Sequence, residues 1–551
     1  MRKLRQIPLP HWGTALSSIL IVAAYPPWDL RYLIWICLIP WLYALSQTRT
    51  WRQSVTQGLW LSILMSFMGF HWVAYVLKQF GDLPWIVAIT GLGLYSLIGQ
   101  PQFLLFGAVF SVVRTRSSKF TAPAALLATM ALALIYTGID WAIPKLFRDT
   151  LGHAFYSAPW LRQSAELGGA HLLTFAAMWI NLALFALIET RRSREMRKTA
   201  LIGIALPLAL IAGLSVFGYQ RANLWRDRLA HPESGQENLQ AAIVQANIGD
   251  FEKVAAERGM QQAAEKILAD YFSLSDQAVA LAKKPDIVIW PETAYASTFG
   301  KPMTTGDYSR DQRIETWVKS TRTPLVFGSY DRDEGKDYNT LFALSPVSSP
   351  QLATLGSVSE SLQFYHKNIL LMFGEYIPFQ DALPAIGRLF PQVANFGRGP
   401  GPELMQIPTL SGSKLIPASP AICYEVLFPN YVIEAARKGS RFILNVTNDS
   451  WFGPYGEPHL HLALSTFRTI ETRLPMVRAT NTGFSALVTQ DGEIASKSHL
   501  FEPEILNVSV PLLDSPWTLM KAWGDWFGQF ALVLGAILIL ALNKRYSQTG
   551  L

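Results

Sequence analysis

Cysteine is almost missing from this chain: 551 residues hold two, Cys37 and Cys423. Two cysteines cannot build a disulfide framework, and Cys37 lies in an apolar block far from Cys423, where it packs. Charge is scarce as well. Asp, Glu, Lys and Arg make up 16% of the residues, against about 25% in an ordinary soluble protein. The deficit falls on residues 1–218 and 525–543, while 219–524 has the composition of a soluble domain. The formal charge of +7 does not indicate nucleic acid, because the basic residues cluster between apolar blocks.

Long hydrophobic runs are plentiful. Stretches approaching the roughly 20 residues that cross a bilayer fall at 13–29, 31–47, 56–77, 85–112, 121–143, 168–189, 199–218 and 525–543. Eight spans are expected. The first two are short and joined by Pro26, Pro27 and Asp29, which suits a tight hairpin. The run 85–112 carries Gly91, Gly93, Gly99, Pro101 and Gly107 and is expected to be tilted or broken. "MRKLRQ" followed by an apolar run has the pattern of a signal peptide, but further spans follow at once, so it is read as an uncleaved first span. With the N-terminus in the cytoplasm, fifteen basic residues of the short loops and ends fall inside and five outside. "RRSREMRK" (191–198) then serves as a topology anchor. This orientation predicts a membrane domain at 1–218, an external domain at 219–524, and a final span with a cytoplasmic tail at 525–551.

Within 219–524, strand-like segments at 239–247, 286–290, 324–330, 415–424, 441–446, 484–490 and 504–510 alternate with helical patterns at 251–283, 308–321, 429–438 and 458–473. Alternation of this kind predicts an α/β layered domain.

Reactive groups of α/β folds sit where strands give way to loops, and three such junctions carry suitable residues. "VIWPETAY" places Glu292 just past a strand. "FYHKNILLMFGEYIPF" supplies Lys367 and Glu375. "PAICYEVLFP" supplies Cys423 at the end of an apolar run. A cysteine thiolate is a strong covalent nucleophile, and a carboxylate can take the thiol proton and later return it. A lysine ammonium, with the backbone N–H of Tyr424, can stabilise a tetrahedral oxyanion. The set is chemically complete for acyl transfer, although each residue alone also fits a packing, turn-closing or solvated role. His366 reads as structural. His459 and His461, two apart with no cysteine or acid cluster at ligand spacing, predict no metal site.

Taken in order, these segments resemble the carbon–nitrogen hydrolase (nitrilase) superfamily. The arrangement of spans around the soluble part is similar to that of the bacterial apolipoprotein N-acyltransferases. "VQANIGD", "WPETAY", "YHKNILLMFGEYIPF", "ICYEVLFP" and "NVTNDSWFG…HLHLALSTFRTIETRLPMVRATNTG" carry the likeness over nearly the whole chain. It implies an αββα sandwich with Glu292 as general base, Lys367 as oxyanion-stabilising lysine and Cys423 as nucleophile. Glu375, Tyr424 and Glu425 are implied as supporting residues, with no cofactor. One departure is visible: Phe251 and Val254 stand where relatives often carry a Trp.

The implied reaction takes an acyl chain from a phospholipid, such as phosphatidylethanolamine, onto Cys423 as a thioester. The chain then passes to the N-terminal amine of a diacylglyceryl-cysteine apolipoprotein. A lipid donor requires access from the bilayer, and "LPAIGRLFPQVANFGRGPG" (383–401), with Phe390 and Phe396 among Gly and Pro, is expected to form a lid that contacts lipid. The implied location is the bacterial inner membrane with the catalytic domain in the periplasm. A membrane-tethered amidase would use the same three residues. A transporter or sensor is disfavoured because few ionisable groups, Asp140 among them, lie within the spans.

Overall fold

The structure, a computed structural model, describes residues 9–79, 81, 83–190, 194–232, 237–347, 361–378, 380, 395–410 and 414–547. The chain divides into two compact units, Met1–Asn223 with Asp525–Leu551, and Leu224–Gly524. One helix, Arg194–Ala230, runs through both the expected boundary at 218/219 and the division between the units at Asn223/Leu224.

The first unit is helical. Among the described residues, five helical segments are long and apolar enough to cross a membrane: Trp85–Ser117, Ala122–Ala142, Leu161–Glu189, Met196–Ala230 and Trp526–Tyr546. A sixth arises if Trp51–Gly69 and Trp72–Gln79, bent by 61°, are counted together. The first two expected spans form only short helices, Trp12–Ala24 and Ile39–Ser46, because Pro26, Pro27 and the 3₁₀ turn Arg31–Trp35 break the apolar run. The expected break in 85–112 falls between Trp85–Ile98 and Gln102–Ser117, at Gly99 and Pro101, where proline lacks a donor. Helix 122–142 packs against Trp526–Ser547 at close range. A Cβ on Gly138 would stand 2.2 Å from the Leu532 Cα, so small residues set this approach. Asp140 is buried and paired with Lys145 at 2.8 Å.

Among the described residues, the second unit has twelve strands in two six-stranded sheets. The first runs in the order β12-β1-β2-β3-β4-β5 and the second β11-β10-β9-β8-β7-β6. The strands are β1 Glu237–Gln245, β2 Ile287–Ile289, β3 Leu325–Asp333, β4 Lys336–Leu344, β5 Leu362–His366, β6 Met405–Pro408, β7 Leu415–Ile422, β8 Phe442–Thr447, β9 Met476–Thr480, β10 Ala486–Val488, β11 Ile494–Lys497 and β12 Glu504–Leu512. At the heart of each sheet the strands are parallel, β1-β2-β3 and β7-β8-β9, and β2, β8 and β9 are buried along their whole length, as sheets covered on both faces require.

Helices α1 Asp250–Glu257, α2 Gln261–Val279 and α3 Thr305–Thr321 follow β1 and β2. α4 Pro429–Arg437 and α5 Gly456–Thr472 lie beside the second sheet. Tyr271, Ile314 and Val318 of α2 and α3 share one core with Val288, Trp290 and Phe327 of the first sheet. The two sheets are stitched by Gln245 of β1, whose Oε1 accepts from Ser485 (2.7 Å) and Ser498 (2.8 Å). The single helix expected over 251–283 is two, because Gly259 turns at φ +87° between them, a conformation glycine takes without penalty.

Candidate active site

Three of the expected residues stand where a strand ends. β2 stops at Ile289, and the chain turns through Glu292 into Thr293 at φ +49°. Gly328 of β3 makes room for that turn: a Cβ there would lie 2.6 Å from the Glu292 Cα and 2.4 Å from the Thr293 nitrogen. β7 ends at Ile422, one residue before the expected strand reaches its cysteine, and Cys423 itself sits at φ +51°, leading into the 3₁₀ turn Cys423–Leu427. A left-handed cysteine between a strand and a turn is a strained elbow of the kind that accumulates at functional sites. Pro429, at the first turn of α4, fixes where the next helix starts. Lys367 follows β5 directly.

The Lys367 ammonium lies between two carboxylates. Nζ donates to Glu292 Oε1 at 3.1 Å and to Glu375 Oε1 at 2.8 Å, with all three side chains largely buried. Burial alone would push the lysine down, but Glu292 and Glu375 outweigh it and hold the ammonium well above its ordinary range. Glu292 Oε2 accepts the backbone N–H of Asn448 at 2.9 Å, and Glu375 Oε2 accepts that of Leu371 at 2.8 Å. Cys423 is buried within electrostatic reach of Glu292 and Lys367. Burial and then Glu292 push its thiol well up, against Lys367 and a hydrogen bond to Thr447. The resting group is therefore a thiol that needs a base, with a carboxylate supplied beside it.

Glu425 ties the elbow to the lysine loop. One oxygen accepts from Asn368 N (2.6 Å) and Ile369 N (3.1 Å), the other from Ile422 N (2.8 Å) and the Tyr365 hydroxyl (2.9 Å). The carboxylate thus fixes the residue before Cys423 and the two after Lys367. Burial pushes it from its ordinary 4.5 to about 7 despite those donors. A value raised by folding means that its contribution to stability is full below pH 4.5 and is lost as pH rises through about 7. Glu425→Gln, which cannot ionise, should flatten the stability–pH curve over that range. It should also lower turnover about tenfold through the loosened elbow; chemical denaturation at several pH values and a turnover assay check both effects. Tyr424 is buried and packs edge-on against Phe428, with ring centroids 5.0 Å apart.

Several residues of the site have no signal in their own sequence neighbourhood. Asn339 of β4 donates to Glu292 Oε1 (2.7 Å) and Glu375 Oε1 (2.9 Å), bracing the same two oxygens as Lys367. Arg478 of β9 is fully buried, with Nη2 2.9 Å from Asp449 Oδ2. Asp449, Glu457 and His461 bring their ligand atoms within 4.8 Å of one another, a cluster the sequence reading of His461 did not find. Arg478 supplies positive charge there: burial would raise Asp449, but Arg478 and His461 hold it at about 2. His459 stands apart, edge-on to Phe484. His366 pairs with Asp331 at 2.9 Å.

Of the expected lid, Phe390 and most of its segment lie outside the described residues, as does the Phe251 side chain. Phe396 is half-buried. Its ring stacks on Tyr330 at 5.6 Å and its N–H donates to the Glu375 carbonyl at 3.2 Å.

Comparison with known proteins covers both halves. Residues 240–515 match the family described as Carbon-nitrogen hydrolase, and residues 17–183 match the Apolipoprotein N-acyltransferase N-terminal domain. The chain is 32% identical over 545 residues to the apolipoprotein N-acyltransferase of Bdellovibrio bacteriovorus, covering 96% of this chain and 94% of the relative. It is 29% identical to that of Geobacter metallireducens with the same coverage. Among solved structures, Saccharomyces cerevisiae Nit3, of branch 10 of the nitrilase superfamily, aligns with 50% of this chain and 90% of its own at 15% identity and a TM-score of 0.34.

Proposed function

The chain belongs to the apolipoprotein N-acyltransferase family, and from that premise we propose that it acylates lipoproteins in two steps through a thioester on Cys423. The observation that carries the reading is the buried Lys367, shared between Glu292 and Glu375 at 3.1 and 2.8 Å, beside a cysteine in a left-handed elbow.

In the first step Glu292 takes the Cys423 thiol proton as sulfur attacks the ester carbonyl of a phospholipid. The developing oxyanion is stabilised by the Lys367 ammonium and the Tyr424 N–H. Collapse breaks the ester bond. The leaving alkoxide of the lysophospholipid recovers the proton from Glu292, and the acyl group stays on sulfur. In the second step the free N-terminal amine of a diacylglyceryl-cysteine lipoprotein attacks the thioester and gives its proton to Glu292. The amide forms, and the departing thiolate takes the proton back. Glu375 and Asn339 hold Lys367 and Glu292 in register throughout, so the reacting groups meet in one geometry.

The finer placement belongs to the same proposal. The apolar helices support an integral membrane protein. The excess of basic residues in alternate loops supports an inner-membrane orientation with the catalytic half in the periplasm. Phe390 and Phe396 are proposed to border the path by which acyl chains arrive. Phosphatidylethanolamine-like lipids serve as donor.

Incubating the purified full-length protein with phospholipid and taking its intact mass tests the reading. The expected result is a mass increase of one acyl chain, located on the Cys423 peptide and discharged as an amide by a diacylglyceryl-cysteinyl peptide. An adduct discharged only to water, or none with any phospholipid, would refute it.

A further inference from the structure

A second lysine, which no step above uses, lies buried next to the base. Lys253 of α1 is 6% exposed, deep for a side chain of its length and charge. Its Nζ donates to the Thr293 hydroxyl. On its other side stands the Asn448 side-chain amide, 2.7 Å from Lys253 Nζ and 3.1 Å from Trp451 Nε1, two donors that call for its oxygen to be turned toward them. Those two partners are the groups that flank the Glu292 carboxylate. Thr293 is the next residue in the chain, in the left-handed conformation that ends the turn, and the Asn448 N–H is the donor to Glu292 Oε2.

From this arrangement we propose that Lys253 is a positioning residue for Glu292, clamping the turn that carries the base to the loop that hydrogen-bonds its carboxylate. The proposal rests on the reading of Glu292 as general base. Lys253 does not touch the reacting atoms; it acts through Thr293 and Asn448.

The alternatives are a solvated lysine and a purely packing one. Burial excludes the first. A packing role would be met by any apolar chain of similar length, whereas this ammonium has two polar acceptors, each joined to the same carboxylate. The charges that act on Lys253 are Asp250 and Glu257 on its own helix, Glu292 on the turn after β2 and Cys423 on the elbow after β7. Burial draws the lysine down while all four draw it up.

The test uses the full-length protein in proteoliposomes and follows single-turnover thioacylation of Cys423 by a fluorescent phospholipid at varied lipid content. Lys253→Met should lower the limiting rate about tenfold to a hundredfold, the scale of an ångström-level misplacement of a catalytic group. The lipid content giving half the limiting rate should stay within about twofold, as expected when an interaction made only in the transition state is lost. Lys253→Arg, able to donate to both acceptors, should recover most of the rate. Thr293→Val, which removes one acceptor at constant shape, should cost several-fold and decides the matter if Lys253→Met does not fold. Glu292→Gln runs alongside. If it is inactive while Lys253→Met and Thr293→Val keep wild-type rates, the clamp is refuted and the base stands. The clamp is also refuted if the loss in Lys253→Met follows a fall in melting temperature that Arg does not rescue. A wild-type rate in Glu292→Gln refutes the base and the clamp with it.

Discussion

Cys423→Ser should abolish the acyl adduct and lower lipoprotein acylation on the order of 10⁴-fold or more, the range seen when a covalent nucleophile is removed. The change is small in volume, and the left-handed elbow is already built around a non-glycine residue, so the fold should survive. A buried hydroxyl needs a partner, and Thr447, already bonded to the thiol, is placed to provide one. What is lost is chemical. An alcohol is far harder to deprotonate than a thiol, and a single carboxylate is a weak base for it. Mass spectrometry of the variant with phospholipid, together with a turnover assay against diacylglyceryl peptide, checks the expectation. Retained turnover would remove Cys423 from the mechanism.

Lys367→Met should cost both activity and stability. Loss of a preorganised cation at the developing oxyanion is worth about 10²–10³ in rate. The structural cost has a separate origin. Glu292 Oε1 and Glu375 Oε1 both accept from one ammonium and from one Asn339 amide. Without the ammonium, two buried carboxylates face each other across a neutral amide. Breaking a buried pair by deleting one partner costs about 3–5 kcal/mol. Two such carboxylates relieve their repulsion by taking up a proton, so the stability deficit should narrow as pH falls and widen as it rises. Adding Glu375→Gln to Lys367→Met should restore part of the stability and none of the activity. Chemical denaturation across pH, with turnover measured on the same samples, separates the two effects. A single variant as stable as wild type at neutral pH would contradict the buried ion network.

The chemistry of the site was more legible in the sequence than its support. Glu292, Lys367, Glu375 and Cys423 announce themselves by residue type at strand ends, and the structure gathers the first three into one hydrogen-bonded group. Asn339, Lys253 and the backbone N–H of Asn448 were not legible, because their roles depend on which strands become neighbours. β4 begins with "KDYN" and β9 contains Arg478; polar residues hide both strands from a hydrophobic pattern, yet Asn339 and Arg478 are buried because each meets a partner. β5, β6 and β11 are only four or five residues long and leave little periodicity to read. Glu425 was placed by its position after Cys423. Its function as the tie between elbow and lysine loop emerged only when four donors were seen to converge on it. In the helical half, apolar length overstated the first two stretches, since proline interrupts a helix whatever the hydropathy on either side.

The division of the site between two sheets has a consequence for how the protein comes to life during synthesis. Glu292 and Lys367 are 75 residues apart, and the tie from Glu425 to Asn368 spans a further 57. Closing loops of that length is entropically costly and slow, and neither sheet holds the whole set. A nascent chain that has made only β1 to β5 holds Glu292 and Lys367 but not Cys423, and the first sheet itself is completed only by β12, near the end of the second unit. Cys423 is made only when β7 of the second sheet is complete, and it meets Glu292 and Lys367 only when the two sheets close and Gln245 stitches them together. The complete set of Glu292, Lys367 and Cys423 is thus a late property of the fold, assembled only when both sheets are in place.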